Sequence, residues 1–298
     1  MERDRQLGAA AAAITVVLWA SAFVGIRAAG EELGPGPLTL GRVGVAALVL
    51  GAFVALRGDA LPPRRDLPRL VFCGVLWLGA YNVLLNAAEQ RIDAGTAAML
   101  VSIGPVLIAA FAGLLLGEGY PRTLIAGCAI ALAGAVVIGL ATSEGDGAGA
   151  LGAALCVAAA AAYAGGVIAQ KPLLERTSAL QITFLACAVG AAACLPFAPQ
   201  LVREAGDASA GALLWTVYLG VVPTAIGFTT WAFALKRTSA GKLGATTYAV
   251  PPIAVLLGWA LLGETPPALA LAGGVLCLAG VGVARGLRLR PRSTVPAR

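Results

Sequence analysis

Apolar residues in this chain run in stretches of about twenty, parted by short gaps that hold most of the charges and turn residues. Read from break to break, the runs lie at 8–28, 37–56, 70–88, 95–116, 122–141, 150–170, 179–198, 211–233, 243–262 and 268–286. A run of ~20 residues is the length a helix needs to cross the hydrocarbon of a bilayer. The pattern predicts an all-α polytopic membrane protein with ten transmembrane helices.

The second half of the pattern repeats the first. Arg91–Val137 laid over Arg237–Val283 needs no gap, at a constant offset of 146 residues. Gly95 meets Gly241, Pro105 meets Pro251, Gly117–Glu118 meets Gly263–Glu264, Gly127 meets Gly273 and Gly134 meets Gly280. Positions 91 to 138 hold 15 identities in 48, where this composition gives roughly five by chance. The repeat divides the chain at 1–145 and 146–298. Five helices per half is an odd number, so the halves are expected to face opposite ways, as in transporters built from inverted repeats.

Composition agrees. The chain is 59% hydrophobic and 12% charged, has no His, and contains 39 Gly that suit close helix packing. Its net charge of +6 is spread over short gaps, with no basic patch interleaved by aromatics, so nucleic acid is not expected as a partner. The six Cys (73, 128, 156, 187, 194, 277) all lie in apolar runs, form no CxxC, and read as small core residues. Neither metal nor cofactor is expected. Arg3 and Arg5 before an apolar run resemble a signal peptide, but the run is too long and the first helix is expected to be retained.

Charge also orients the chain. With the N-terminus inside, 17 of 21 basic residues fall on cytoplasmic ends, and only Arg27, Arg91 and Arg203 fall outside. Positively charged loops stay in the cytoplasm, so both termini are expected there.

Several motifs keep a fixed order. Gly104-Pro105 is followed by Leu116-Gly117-Glu118, Gly127 and Gly134, and Pro251-Pro252 by Leu262-Gly263-Glu264, Gly273 and Gly280. The opening Leu18-Trp19-Ala20-Ser21-Ala22-Phe23 and Gly41-Arg42 complete the set. In this order and duplication the chain resembles the EamA family of the drug/metabolite transporter superfamily, over nearly its whole length. The resemblance implies export or exchange of small metabolites, often amino acids or their relatives, across the inner membrane.

Candidate residues carry two readings each. Glu118 and Glu264 lie at the starts of the fifth and tenth helices, where a carboxylate meets free N–H groups and the positive end of the helix dipole. A cap is the favoured reading, an ion site the other. Pro105 and Pro251 fall near mid-helix and read as breaks that shape a cavity. Arg42, about six residues into the second run, either contacts substrate or snorkels to the surface. Trp19, Ser21, Trp77, Tyr81, Asn82, Ser102, Tyr163, Thr224, Phe228, Trp231 and Tyr248 place polar and aromatic groups near mid-span and read together as a cavity lining. Asn82 and Asn86 serve equally well as helix-to-helix bonds or as substrate contacts.

The expected protein is therefore an inner-membrane, multi-pass secondary transporter working by alternating access on a small amphiphilic metabolite. Its partners are that small molecule and membrane lipid, and it is a monomer or weak dimer. A transporter of phosphorylated or nucleotide-linked sugars would want several cations in the cavity, and only Arg42 offers one. A membrane enzyme would need a catalytic cluster at one depth, and none is seen; a non-transporting scaffold is the remaining rival. Every carboxylate maps to a loop or helix end, so facilitated or exchange transport is expected rather than proton coupling.

Overall fold

The computed structural model describes residues 2–58, 62–116, 122–141, 147–237, 243–244 and 246–284. Glu118, Pro121 and the basic C-terminal tail lie outside the described residues. Helix is the sole regular structure among the described residues. We number the helices α1 (Glu2–Ala29), α2 (Pro35–Arg57), α3 (Arg64–Glu89), α4 (Ala94–Val101 continued by Gly104–Leu116) and α5 (Arg122–Ala141). The second half gives α6 (Ala148–Leu173), α7 (Ala179–Ala193, continued at a bend by Leu195–Asp207), α8 (Ala210–Arg237), α9 (Thr247–Leu262) and α10 (Ala268–Ala284). Among the described residues, five helices are long and apolar enough to cross a membrane singly, and the bent α7 pair taken as one span makes a sixth.

Local chemistry sets the ends. Asp93, Ser178 and Ser209 are the N-caps of α4, α7 and α8, each accepting a hydrogen bond from a backbone N–H of the first turn. Gly263 closes α9 at φ 68°, in the left-handed region that favours glycine. The α7 run bends by 52° at Cys194, where Leu195-Pro196-Phe197 forms a 3-10 turn. Proline removes a backbone donor there, and the polar Gln200, Arg203, Glu204 and Asp207 come next, so the continuation leaves the apolar run predicted to end at 198. Pro105 and Pro251 do not sit inside continuous helices. Each lies in the first turn of an α-helical segment (Gly104–Leu116 and Val250–Leu262), Pro105 after a turn at 102–103 and Pro251 after the 3-10 turn Thr247–Ala249, where a missing N–H costs little.

The packing obeys a two-fold exchange of halves. The pairs α1–α8 and α3–α6 both pack, as do α1–α9 and α4–α6, and α2–α8 and α3–α7. Swapping each helix for its counterpart five places away turns each of these contacts into another. The pairs α5–α10, α2–α7 and α4–α9 map onto themselves, and α5–α10 is the most extensive contact of the bundle. In it a Cβ on Gly280 would lie 2.5 Å from Ala131 N and 2.7 Å from Gly127 O, and one on Gly134 would lie 2.6 Å from Gly273 O. The two backbones touch, as small residues allow between membrane helices. Gly127 is the repeat partner of Gly273, and Gly134 of Gly280. The contact is thus self-complementary, and residue numbers rise along one helix as they fall along the other. These two helices are antiparallel about a two-fold axis across them.

The outward faces are apolar. Leu56 is 85% exposed, Leu48 77% and Val275 67%. Exposed leucine and valine at this density suit lipid rather than water.

The α5–α10 contact makes a sharp stability prediction. Gly280→Leu should destabilise the detergent-solubilised protein by roughly 1–3 kcal/mol or more, because the neighbour is backbone and cannot give way. Gly44→Ala in α2 meets nothing within 4 Å and should be neutral or stabilising. Thermal unfolding of both variants checks this, and equal melting temperatures would mean that α5 and α10 do not touch.

Candidate functional site

A cavity opens between α1, α2, α3, α4, α6, α8 and α9. Its walls carry Trp19, Phe23 and Ile26 from α1, Arg42 from α2, Trp77, Tyr81 and Leu85 from α3, and Ala98 and Ser102 from α4. Tyr163 from α6, Phe228 from α8, and Thr247 and Val250 from α9 complete it. Centres of water-sized molecules find ≈ 50 Å³ there, room for a few waters and too little for a metabolite without some expansion.

One end of the cavity is an aromatic cluster. Trp19 stacks on Trp231 with centroids 4.9 Å apart and leans on Phe228 at 5.3 Å. Trp77 lies 4.9 Å from Phe228 and 5.5 Å from Tyr163, and Tyr163 lies 6.2 Å from Tyr81. Edge-to-face and offset geometries of this kind contribute about 0.5–1.5 kcal/mol per pair beyond burial. Trp19 Nε1 and Trp231 Nε1 are buried without acceptors.

Arg42 is the cationic side chain of the cavity wall. It is 3% exposed, so it does not snorkel. Its Nε and Nη2 donate to Thr224 Oγ1 at 3.3 and 3.1 Å, while Nη1 has no partner. Thr224 Oγ1 in turn donates to Leu219 O at 2.6 Å. Leu219 O lies four residues before Pro223, which has no N–H to give it, at the edge of a π-helical turn at Gly220–Ile226; α3 has such a turn at the equivalent Gly74–Ala80. In α3 the carbonyls of Trp77 and Leu78 accept from Asn82 Nδ2 at 3.2 and 2.9 Å. Such turns insert one residue into the ladder and re-aim the side chains beyond it. Here they turn Trp77 and Phe228 towards each other.

Of the residues predicted to line a cavity, Trp19, Trp77, Tyr81, Ser102, Tyr163 and Phe228 do so together with Arg42. Others have structural duties. Thr224 and Asn82 serve the π turns, and Ser21 shares a 2.7 Å hydrogen bond with Tyr218 Oη beside a separate groove. Tyr248 packs against Val106. Asn86 joins helices, donating from Nδ2 to Thr39 Oγ1 at 2.9 Å. Sequence reasoning passed over Phe23, Ile26, Leu85 and Thr247, although Phe23 and Leu85 each stand four residues beyond a named one and so share its face.

Two further placements differ from expectation. Glu264 touches a neighbouring helix and not the start of its own. Its Oε1 accepts from Arg27 Nε at 2.6 Å, and its Oε2 faces the N–H of Ala94, at the start of α4, at 3.4 Å. The α9–α10 connection is long enough to carry the carboxylate across to the other half. Glu89, the last residue of α3, is 1% exposed, and neither carboxylate oxygen has a hydrogen-bond partner. A position at a helix end had implied solvent. The bundle instead folds Arg27 over it, with Arg27 Nη1 donating to the Glu89 carbonyl at 2.7 Å. No group of three or more metal ligands occurs among the described residues.

Comparison with known proteins places this geometry. A model of the EamA-like transporter family matches residues 6–140 and again 150–285. The chain belongs to that family. It is a helical membrane transporter built from two EamA repeats. Among its relatives, a protein of Streptantibioticus cattleyicolor named "Probable terminal-alkyne amino-acid exporter" is 40% identical over 96% of each chain. A "Probable amino-acid metabolite efflux pump" of Salmonella typhimurium is 27% identical over 95% of this chain and 97% of its own. A solved crystal structure superposes with a TM-score of 0.67 at 23% identity, over 96% of this chain and 100% of that one, a likeness of fold.

Accessibility separates cavity walls from scaffold. In a variant of this EamA-like chain with the six native cysteines replaced, Trp19→Cys, Tyr81→Cys and Ser102→Cys should react with a water-soluble thiol reagent. Asn82→Cys and Thr224→Cys, both 0% exposed and tied to the π turns, should resist it. The reverse order of labelling would dissolve the cavity.

Proposed function

We propose that this chain exports a small amino acid or close relative with an apolar side chain across the inner membrane by alternating access. The observation that carries the reading is Arg42. A guanidinium buried in hydrocarbon is costly. Thr224 engages two of its nitrogens, and Nη1 is left without a partner beside the cavity. A carboxylate is the complement of such a fork. The aromatic cluster next to it suits an apolar side chain, and its ring faces suit an ammonium group. One cation in the wall fits one carboxylate better than the several charges of a phosphorylated or nucleotide-linked sugar. The amino-acid export named for the Streptantibioticus relative points the same way.

The topology proposed with it is ten spans in two inverted five-helix halves, both termini cytoplasmic. The five single spans and the bent pair are joined by four shorter apolar helices, Ala94–Ile108, Ile125–Ile138, Thr247–Leu262 and Ala268–Gly280. The two-fold exchange of helix contacts supports inversion, and such symmetry lets one bundle offer its centre to either side in turn. Pro105 and Pro251, each opening a helical segment after a turn, are the proposed hinges. A reporter active only in the cytoplasm should work when fused at the C-terminus, and one active only outside should not. External activity would refute the parity of the spans.

Arg42 gives the decisive test. In proteoliposomes, counterflow of radiolabelled leucine and other apolar amino acids should be lost in Arg42→Met and weakened about tenfold or more in Arg42→Lys, whose point charge lacks the planar fork. The corresponding amine, which lacks a carboxylate, should not compete. Counterflow by Arg42→Met at the wild-type rate would remove the carboxylate from the reading.

A further inference from the structure

Glu89 has no duty in the substrate site, yet its environment is the most demanding of any carboxylate among the described residues. It lies one helical turn beyond Leu85, which lines the cavity, and on the same face of α3 as Tyr81 and Leu85. Arg27 stands in the same relation to Phe23 on α1. Glu89 and Arg27 thus meet just past the end of the cavity, at the end of the bundle assigned above to the outer side. There Arg27 has two carboxylates within reach. It is ion-paired with Glu264 at 2.6 Å, which ties α1 to the α9–α10 connection, and it holds only the backbone carbonyl of Glu89. The Glu89 carboxyl group itself is bare of donors and 1% exposed. A buried carboxyl group in that state is either neutral or balanced by a nearby cation.

We propose that Glu89 is a proton site whose occupancy decides which carboxylate Arg27 pairs with, and so whether the outer end of the cavity is shut. This rests on the transport reading above. With a proton on Glu89 the side chain is neutral, Arg27 stays with Glu264, and α1 is latched to the second half. Loss of the proton leaves a buried negative charge one guanidinium away. Arg27 is then drawn from Glu264 to Glu89, and the latch is released. A proton taken from outside recloses it, and release of that proton towards the cytoplasm completes an exchange of proton inward for substrate outward. The groups that act electrostatically on this site are Arg27 from α1, Arg42 from α2, Tyr81 from α3, Asp93 from the α3–α4 turn, Cys156 from α6 and Glu264 from the α9–α10 connection. Between the cavity and Glu89, the Oδ1 atoms of Asn82 and Asn86 are also buried without donors. At spacings of four and three residues they share the Glu89 face of α3 and offer acceptors for a water-borne proton. The expectation of uncoupled transport rested on every carboxylate lying at a loop or helix end; Glu89 lies at a helix end and is nevertheless buried.

The test uses the full-length protein in proteoliposomes. Counterflow of radiolabelled leucine, which moves no net charge or proton, reports transport itself. Accumulation of leucine driven by an imposed pH gradient reports coupling. Wild type should show both. Glu89→Gln, which has no proton to lose, should hold the latch shut and lose both, and Glu89→Asp should recover part of each. Glu89→Gln combined with Glu264→Gln, which has no latch, should regain counterflow without gradient-driven accumulation. A pH-difference infrared spectrum of the purified protein should show a protonated-carboxyl band that Glu89→Gln removes, a reading independent of any substrate. Absence of counterflow in wild type would overturn the transport reading, and the coupling with it. Wild-type counterflow with no response to the pH gradient, or a Glu89→Gln protein that still accumulates leucine, would overturn the proton site alone.

Discussion

In hydrocarbon no water satisfies a polar atom, so each buried donor and acceptor has to find its partner within the bundle. This constraint organises the centre of the molecule. At the paired π turns of α3 and α8, the side chains of Asn82 and Thr224 bond to backbone carbonyls of Leu78 and Leu219. Thr224 is then placed to accept from Arg42, so the scaffold's own repair positions the cation of the site. Several of the buried polar atoms left without partners gather in one region. Arg42 Nη1, Trp19 Nε1 and the Glu89 carboxyl group lie in or just beyond one cavity. Open polar groups gathered beside a cavity suit the binding of a polar solute there.

Duplication supplied the frame, and divergence supplied the site. A Cβ on Gly74 would contact Val189 and the carbonyl of Ala186, while one on the equivalent Gly220 would contact Val45 and the carbonyl of Arg42. Arg42 and Ala186 therefore occupy matching places on α2 and α7. The halves keep the glycines that let helices approach and differ in the side chains that project inward. Asn82 corresponds to Phe228, Leu78 to Thr224 and Glu89 to Leu235, at the constant offset of 146. The cation of the cavity wall, Arg42, lies in the first half, and both halves contribute aromatic rings, Trp19, Phe23, Trp77 and Tyr81 from the first and Tyr163 and Phe228 from the second. A substrate in the cavity meets one cation and a surround of aromatic rings, which suits the amphiphilic character proposed for it.

How much could be read from the sequence depends on how local each feature is. Helix type and the repeat were legible because twenty-residue apolar runs and a fixed offset are properties of the chain alone. Trp19, Trp77, Tyr81, Tyr163 and Phe228 were legible as a set because bulky mid-span aromatics with few places to go converge on the bundle centre. Thr224 and Asn82 bond to backbone carbonyls of their own helices at the π turns, and nothing in the sequence announces a π turn. Glu89 was passed over for a related reason. Its burial depends on Arg27 and on the α9–α10 connection, more than 170 residues away in the chain at Glu264. Non-local charge partners are where periodicity is silent.

The near-closed cavity adds a mechanical constraint to the chemical one. With only ≈ 50 Å³ free, an amino acid enters only if the walls separate. The α5–α10 contact is not where they part, because backbone meets backbone there and a slide would carry glycines off one another. The π turns are better placed. Each lies halfway along a long helix, each carries cavity or cluster residues on one side, and each is packed through a glycine against α7 or α2 on the other. A π turn holds one residue more than the α-helical ladder needs, and moving that surplus along the helix rotates the side chains ahead of it without breaking the helix. Rotation at α3 would carry Trp77 and Tyr81 out of the aromatic cluster and would turn Leu85 and Glu89 with them. Opening the cavity and disturbing the Arg27 latch would then be one motion of one helix.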